Sequence, residues 1–194
     1  MFELKDKVVY PGHGVAVIDD IIEKIVSGTS IKFFKLNFLY KDMTILLPIN
    51  NLKYSGARYV GDKKAVENAI KELYKLPEKK MAYFDFTPSG WNKRNKDYQN
   101  KIQSGELVEI AQIYRDLMFI AQHKELSFGE KKILQVVEEL FIQEIQLITQ
   151  QERSVVLEDL KRPFKQIFFE DPFVQNTEVL SHIISKPQQI SSTM

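Results

Sequence analysis

Gly90-Trp91-Asn92-Lys93-Arg94-Asn95-Lys96 holds the single tryptophan of a 194-residue chain, with three cations in the five positions after it. An aromatic ring beside phosphate-reaching side chains suits duplex DNA at a distorted base step: the ring abuts the step and the cations hold the backbone. The competing reading is that a lone Trp in a helical region packs in or against the core. Trp91 follows a Pro- and Gly-containing connector and stands where a helix is expected to start, outside any apolar stripe. Lys93, Arg94 and Lys96 surround the first turns of that helix and share no one narrow face. Cations there oppose the helix macrodipole, which costs about a few tenths of a kcal/mol each. On the residues alone the two readings stand level, and the exposure of Trp91 separates them.

Other constellations offer little chemistry. The three histidines, His13, His123 and His182, are far apart and lack metal-ligand spacing, and there is no cysteine. No phosphate-binding glycine loop occurs, and Gly12-His13-Gly14 reads as a turn between strands. No serine stands in a nucleophile-elbow context. Asp19-Asp20 and Glu138-Glu139 read as solvated charges, not acid–base pairs. The expectation is a protein without catalytic activity, metal or cofactor.

The elements that would position Trp91 follow from periodicity. Lys7 to Tyr10 is a β-prone run ended by the turn Pro11-Gly12-His13-Gly14. Val15 to Ile18 and Ile21 to Val26 follow, with a hairpin turn at Ser27-Gly28-Thr29. In the strand from Ile31 to Tyr40, Phe34, Leu36, Phe38 and Tyr40 alternate onto one buried face. Thr44 to Leu47 closes at Pro48, giving a small, strongly bent sheet or barrel. Beyond Gly61 the period becomes helical. Asp62 is an N-cap for a helix carrying Val66, Ala69, Ile70 and Leu73, which Pro77 ends. Residues 77–90 read as a connector, and a helix runs from near Trp91 to Ser104-Gly105. The next spans Glu106 to His123, with Leu107, Ile110, Ala111, Tyr114, Leu117, Met118 and Ala121 on its apolar face. Ser127-Phe128-Gly129-Glu130 has capping-box spacing and opens a long helix with the stripe Ile133, Val137, Leu140, Phe141, Ile145 and Ile148. Val155 to Leu160 and Val179 to Ile184 suit short helices, Arg162-Pro163 and Asp171-Pro172 break the chain, and the last eight residues read as disordered.

Composition restricts the setting. Net charge is +1, but residues 1–105 hold 18 Lys/Arg against 12 Asp/Glu, whereas residues 106–194 hold 9 against 14. The cationic footprint is therefore local to the front and middle of the chain. The N-terminus lacks the pattern of a signal peptide, and no apolar run reaches the ~20 residues that span a bilayer. The expectation is a cytoplasmic protein with no membrane partner.

The order of these features resembles the CarD/CdnL family of bacterial transcription regulators. The resemblance rests on Val8-Val9-Tyr10-Pro11-Gly12-His13-Gly14, on Thr44 to Pro48, and on Trp91 with its basic followers. Gly105 to Leu117, with Tyr114-Arg115-Asp116-Leu117, and Leu126-Ser127-Phe128-Gly129-Glu130-Lys131 complete it. It covers about residues 1–150, and the front also looks like the polymerase-interacting domain of the transcription–repair coupling factor. It implies an α+β protein: a Tudor-like β-barrel or bent sheet over residues 1–60 that binds the RNA polymerase β subunit, then an all-α domain over 61–150 that contacts promoter DNA. Residues 151–194 form an extension of unknown role, partly helical or disordered. By this resemblance Trp91 is a minor-groove wedge at the upstream edge of the transcription bubble, and Lys93, Arg94 and Lys96 are backbone contacts. Lys24 matches a basic position used against the polymerase and Val26 an apolar neighbour. Leu46 stands where some members carry arginine, so the polymerase contact is less electrostatic here or displaced. The expected protein is a monomer that binds free DNA weakly and without sequence preference. The alternative is a protein-interaction adaptor with no DNA contact.

Overall fold

The computed structural model describes residues 2–75 and 87–166. Its front part is an antiparallel sheet of β1 (Lys7–Tyr10), β2 (Gly14–Val26), β3 (Thr29–Phe38), β4 (Thr44–Pro48) and the short β5 (Arg58–Tyr59), in the spatial order β4-β3-β2-β1-β5. A single turn of 3₁₀ helix (Ile49–Asn51) and α1 (Leu52–Ser55) lead from β4 towards β5. The sheet is open, with β4 and β5 at its edges, and it corresponds to the bent-sheet form of the expected Tudor-like unit. Its core gathers Val8, Ala16, Ile18, Phe34, Leu36, Phe38 and Leu47. Burial of each larger member contributes about 1.5–3 kcal/mol.

Alternation fixes these faces. Phe34, Leu36 and Phe38 are buried as their period predicts, but Tyr40 lies beyond the end of β3 and is 41% exposed. The two runs expected before the hairpin are one strand, β2, with a register shift between Ile18 and Asp20 that bends it. Ser27 and Gly28 both take positive φ, of 52° and 80°, as a two-residue type I′ turn requires.

The helical part comprises α2 (Lys63–Leu73), α3 (Pro88–Ser104), α4 (Leu107–His123), α5 (Phe128–Thr149) and α6 (Arg153–Gln166). Asp62 caps α2 by accepting from the Ala65 amide at 2.8 Å. The ends expected at Pro77 and beyond Asp171 lie outside the described residues. Helix α3 starts three residues before Trp91, because Thr87 is its N-cap and a proline fills the first turn, where no amide partner is needed. Ala121 is exposed rather than on the buried face of α4, while Ile113 is fully buried. Pro163 does not end α6, which continues to Gln166. Val156, Leu160 and Phe164 are buried in the helical core around Ile110, Tyr114, Val137 and Phe141, and this packing outweighs the amide lost at the proline.

The sheet meets the helices through two devices. The turn Pro11-Gly12-His13-Gly14 lies against α3 and α5, and a Cβ at Gly14 would stand 2.1 Å from Gln143 Oε1. Since Gly14 also takes φ +100°, only glycine serves there. Arg58, on β5, reaches across to α5: its Nη1 and Nη2 donate to Glu144 Oε1 and Oε2 at 2.7 and 2.8 Å, and its Nε donates to the Gly105 carbonyl at 2.9 Å. Glu144 also accepts from the Gly61 amide at 3.1 Å, which satisfies a nearly buried carboxylate.

Candidate nucleic-acid interface

Trp91 lies in the first turns of α3, its amide bonded to the Thr87 carbonyl at 2.9 Å. The side chain is half-buried, so it matches neither a fully enclosed nor a fully solvated ring. One part packs against the helical core, and its benzo edge rests on Gly129 in the first turn of α5. A Cβ at Gly129 would stand 2.7 Å from Trp91 Cζ2, closer than real contacts allow. The glycine is thus a seat for the indole, which leaves part of its surface open to solvent. Nothing in the sequence marks this pairing, since the two residues are far apart along the chain.

The first turn of α5 is built as its sequence predicts. Ser127 Oγ accepts from the Glu130 amide at 3.3 Å, and Glu130 Oε2 accepts from the Ser127 amide at 2.8 Å, completing the capping box. Glu130 is buried and also takes bonds from Lys124 Nζ at 2.7 Å and from Arg94 Nη2 at 3.2 Å. Burial pushes its carboxyl up, but the bonds from Lys124 and Ser127 outweigh that, and the net shift is below the ordinary value. Arg94, expected among the phosphate contacts, is turned inward to this pair and ties α3 to α5 one turn from Trp91. Lys93 and Lys96 are exposed and form no ion pair among the described residues.

The buried ion pair between Arg115 Nη1 and Glu72 Oε1, at 2.5 Å, holds α4 to α2. Tyr114 donates to Glu138 at 3.1 Å, and burial raises its hydroxyl pKa, helped by that carboxylate. The Tyr114-Arg115-Asp116-Leu117 run thus builds the scaffold behind the site.

On the sheet, Lys24, Val26 and Leu46 fall on one face. Asp20 pairs with Lys35 and Lys35 with Leu46, and cross-strand partners share a face. Lys24 and Val26 follow Asp20 at even spacing along β2, so all three lie on the side opposite the buried Phe34 and Leu47. Pairing of β1 with β2 stops at Val17, which leaves the β1-side edge of β2 open towards its far end among the described strands. There Ile25 and Val26 are exposed beside the exposed Lys24. Ile25, on the opposite face to Lys24, was not singled out from sequence.

No group of three His, Asp or Glu side chains that could hold a metal ion occurs among the described residues. Among those residues, no helix is long and apolar enough to cross a membrane.

Two family profiles match: the CarD-like/TRCF RID domain over residues 2–60 and the CarD C-terminal domain over residues 82–161. The chain is also 30% identical over 148 residues, 76% of its length, to the "Putative transcription factor YdeB" of Bacillus subtilis (strain 168), and the match covers 92% of that protein. The chain belongs to the CarD family. Membership agrees with the order of motifs from Val8 to Lys131 and supports a role in transcription regulation. The C-terminal match extends through most of α6, in keeping with that helix lying in the CarD helical core.

Proposed function

We propose that this CarD-family chain is a transcription regulator that binds the RNA polymerase β subunit through its sheet. It then stabilises the open promoter complex by setting Trp91 against the upstream edge of the melted DNA, and it acts without catalytic turnover. The observation that carries the reading is the seat of Trp91: a partly buried indole pressed on Gly129, with Lys93 and Lys96 exposed on the same helix. A wedge hinders reannealing only if it cannot swing aside, and the glycine contact and the Arg94–Glu130 tie behind it supply that rigidity. Lys93 and Lys96 take the phosphate contacts, while Arg94 acts from within by fixing α3. With so few cations, free duplex is bound weakly, with a log–log salt slope of about −0.9 per phosphate neutralised. Recruitment to promoters therefore falls to the polymerase contact. Lys24, Val26 and Leu46 supply a mixed face for it, and the open edge of β2 suits addition of a partner strand.

The experiment combines retention of the polymerase β subunit by the full chain with the lifetime of open complexes at a promoter. The expected results are retention, weakening on Lys24→Glu at unchanged thermal stability, and a longer open-complex lifetime with the wild-type chain. The half-burial of Trp91 also fits an adaptor with no DNA contact, and that alternative predicts retention with no change in lifetime.

A further inference from the structure

Phe128 is the first residue of α5 and is 85% exposed, the highest value among the large apolar side chains described. It belongs to none of the apolar clusters among the described residues, so their packing gives no reason for an aromatic there. Its neighbour in sequence is Gly129, on which the Trp91 indole rests, so the Cα atoms of Phe128 and of the indole's seat are about 3.8 Å apart. Two aromatic side chains therefore meet at the first turn of α5, one resting on it and one largely solvated. Lys132, four residues on and on the same side of α5, is exposed and forms no ion pair among the described residues. Lys93 and Lys96, also exposed, lie on α3 two and five residues after Trp91, on the side of that helix turned away from the indole. The exposed carboxylates closest in sequence, Asp97 and Glu125, are each paired with a lysine, Lys101 at 3.8 Å and Lys131 at 2.7 Å.

We infer that Phe128 is a second aromatic DNA contact, which packs on an unstacked base or its sugar at the distorted step addressed by Trp91, with Lys132 on the adjoining phosphates. The inference rests on the proposed DNA role of Trp91. Charge selects this occupant: an exposed aromatic one turn from Lys132, unpaired among the described residues, complements a polyanion with π-faced bases better than it complements an apolar protein groove. Two rings on one step also resist reannealing better than one, because the strand must clear both.

The test uses the full chain with polymerase on a promoter and compares open-complex lifetimes for wild type, Phe128→Ala, Phe128→Trp and Trp91→Ala. Phe128→Ala is expected to shorten the lifetime about fivefold or more, the low end of what one base–aromatic stack supplies, with an unchanged melting temperature. Phe128→Trp is expected to keep or lengthen it. A photo-crosslinking residue at position 128 should mark a DNA strand. If Phe128→Ala matches wild type while Trp91→Ala shortens the lifetime, this inference falls and the proposed function stands. If neither substitution shortens it, both fall. A crosslink to a polymerase or σ subunit instead of DNA assigns the surface to a protein partner and overturns the inference.

Discussion

Arg58→Ala removes a side chain that, alone among the described residues, bonds the sheet to both α5 and the α3–α4 corner. Its guanidinium gives Glu144 two bonds, at 2.7 and 2.8 Å, and gives the Gly105 carbonyl two more, at 2.9 and 2.5 Å. Glu144, 4% exposed as a side chain, would keep, among the described residues, the Gly61 amide alone. Stripping a buried carboxylate of its cation costs about 3–5 kcal/mol. Arg58 is 21% exposed, so water can enter the gap and the loss falls near ~3 kcal/mol. That is a large share of the roughly 5–15 kcal/mol that holds a domain folded. Arg58 belongs to neither apolar core, so the loss should appear as undocking of sheet from helices, with both cores intact. Denaturant unfolding of Arg58→Ala, Glu144→Ala and the double variant measures it, with an expected coupling energy of about 1.5–3 kcal/mol. Amide exchange should accelerate first at Gly61. Under the proposed function the variant keeps its polymerase affinity but shortens the open-complex lifetime, since an anchored sheet no longer fixes where Trp91 sits. Additive single variants, each costing less than about 1 kcal/mol, would refute this account of the docking.

Further outcomes follow from the same contacts. Gly129→Ala improves helix propensity by up to about 1 kcal/mol yet must displace the indole, so Trp91 emission should shift and the open-complex lifetime fall with little change in stability. Gly14→Ala meets both Gln143 and a positive φ, so it should destabilise by more than about 1 kcal/mol, read from the denaturation midpoint. Glu130→Gln should cost about 2 kcal/mol at neutral pH, through the charged bonds it loses to Lys124 and Arg94. Because the folded-state pKa of Glu130 is lowered, its contribution is complete above the unfolded value of about 4.3 and is lost as pH falls through the folded one. The gap between variant and wild type should therefore close on acidification below about pH 4.

Local signals carried most of the architecture. The alternation of Phe34, Leu36 and Phe38, the cap at Asp62 and the capping box at Ser127 and Glu130 act within a few residues, so the sequence displays them directly. Long-range pairings were not legible. Arg58 with Glu144, Arg115 with Glu72 and Trp91 with Gly129 join residues that no periodicity links. The same applies to Arg94, which reads as a phosphate contact beside Lys93 and Lys96 until Glu130 is placed opposite it. β5 was missed because two residues, Arg58 and Tyr59, are too short for a period, and α6 passes Pro163 because its apolar face is already bound.

Under the proposed function, Trp91 acts on melted DNA. The most direct measurement is the open-complex half-life with saturating Trp91→Ala, at a temperature where the variant is fully folded and bound to polymerase. Half-burial of the ring means some loss of melting temperature, so folded fraction and polymerase occupancy must be established in the same samples. The account predicts a half-life shortened about tenfold, close to that of polymerase alone, at unchanged occupancy. A half-life equal to wild type under those conditions would contradict it and return Trp91 to a packing role.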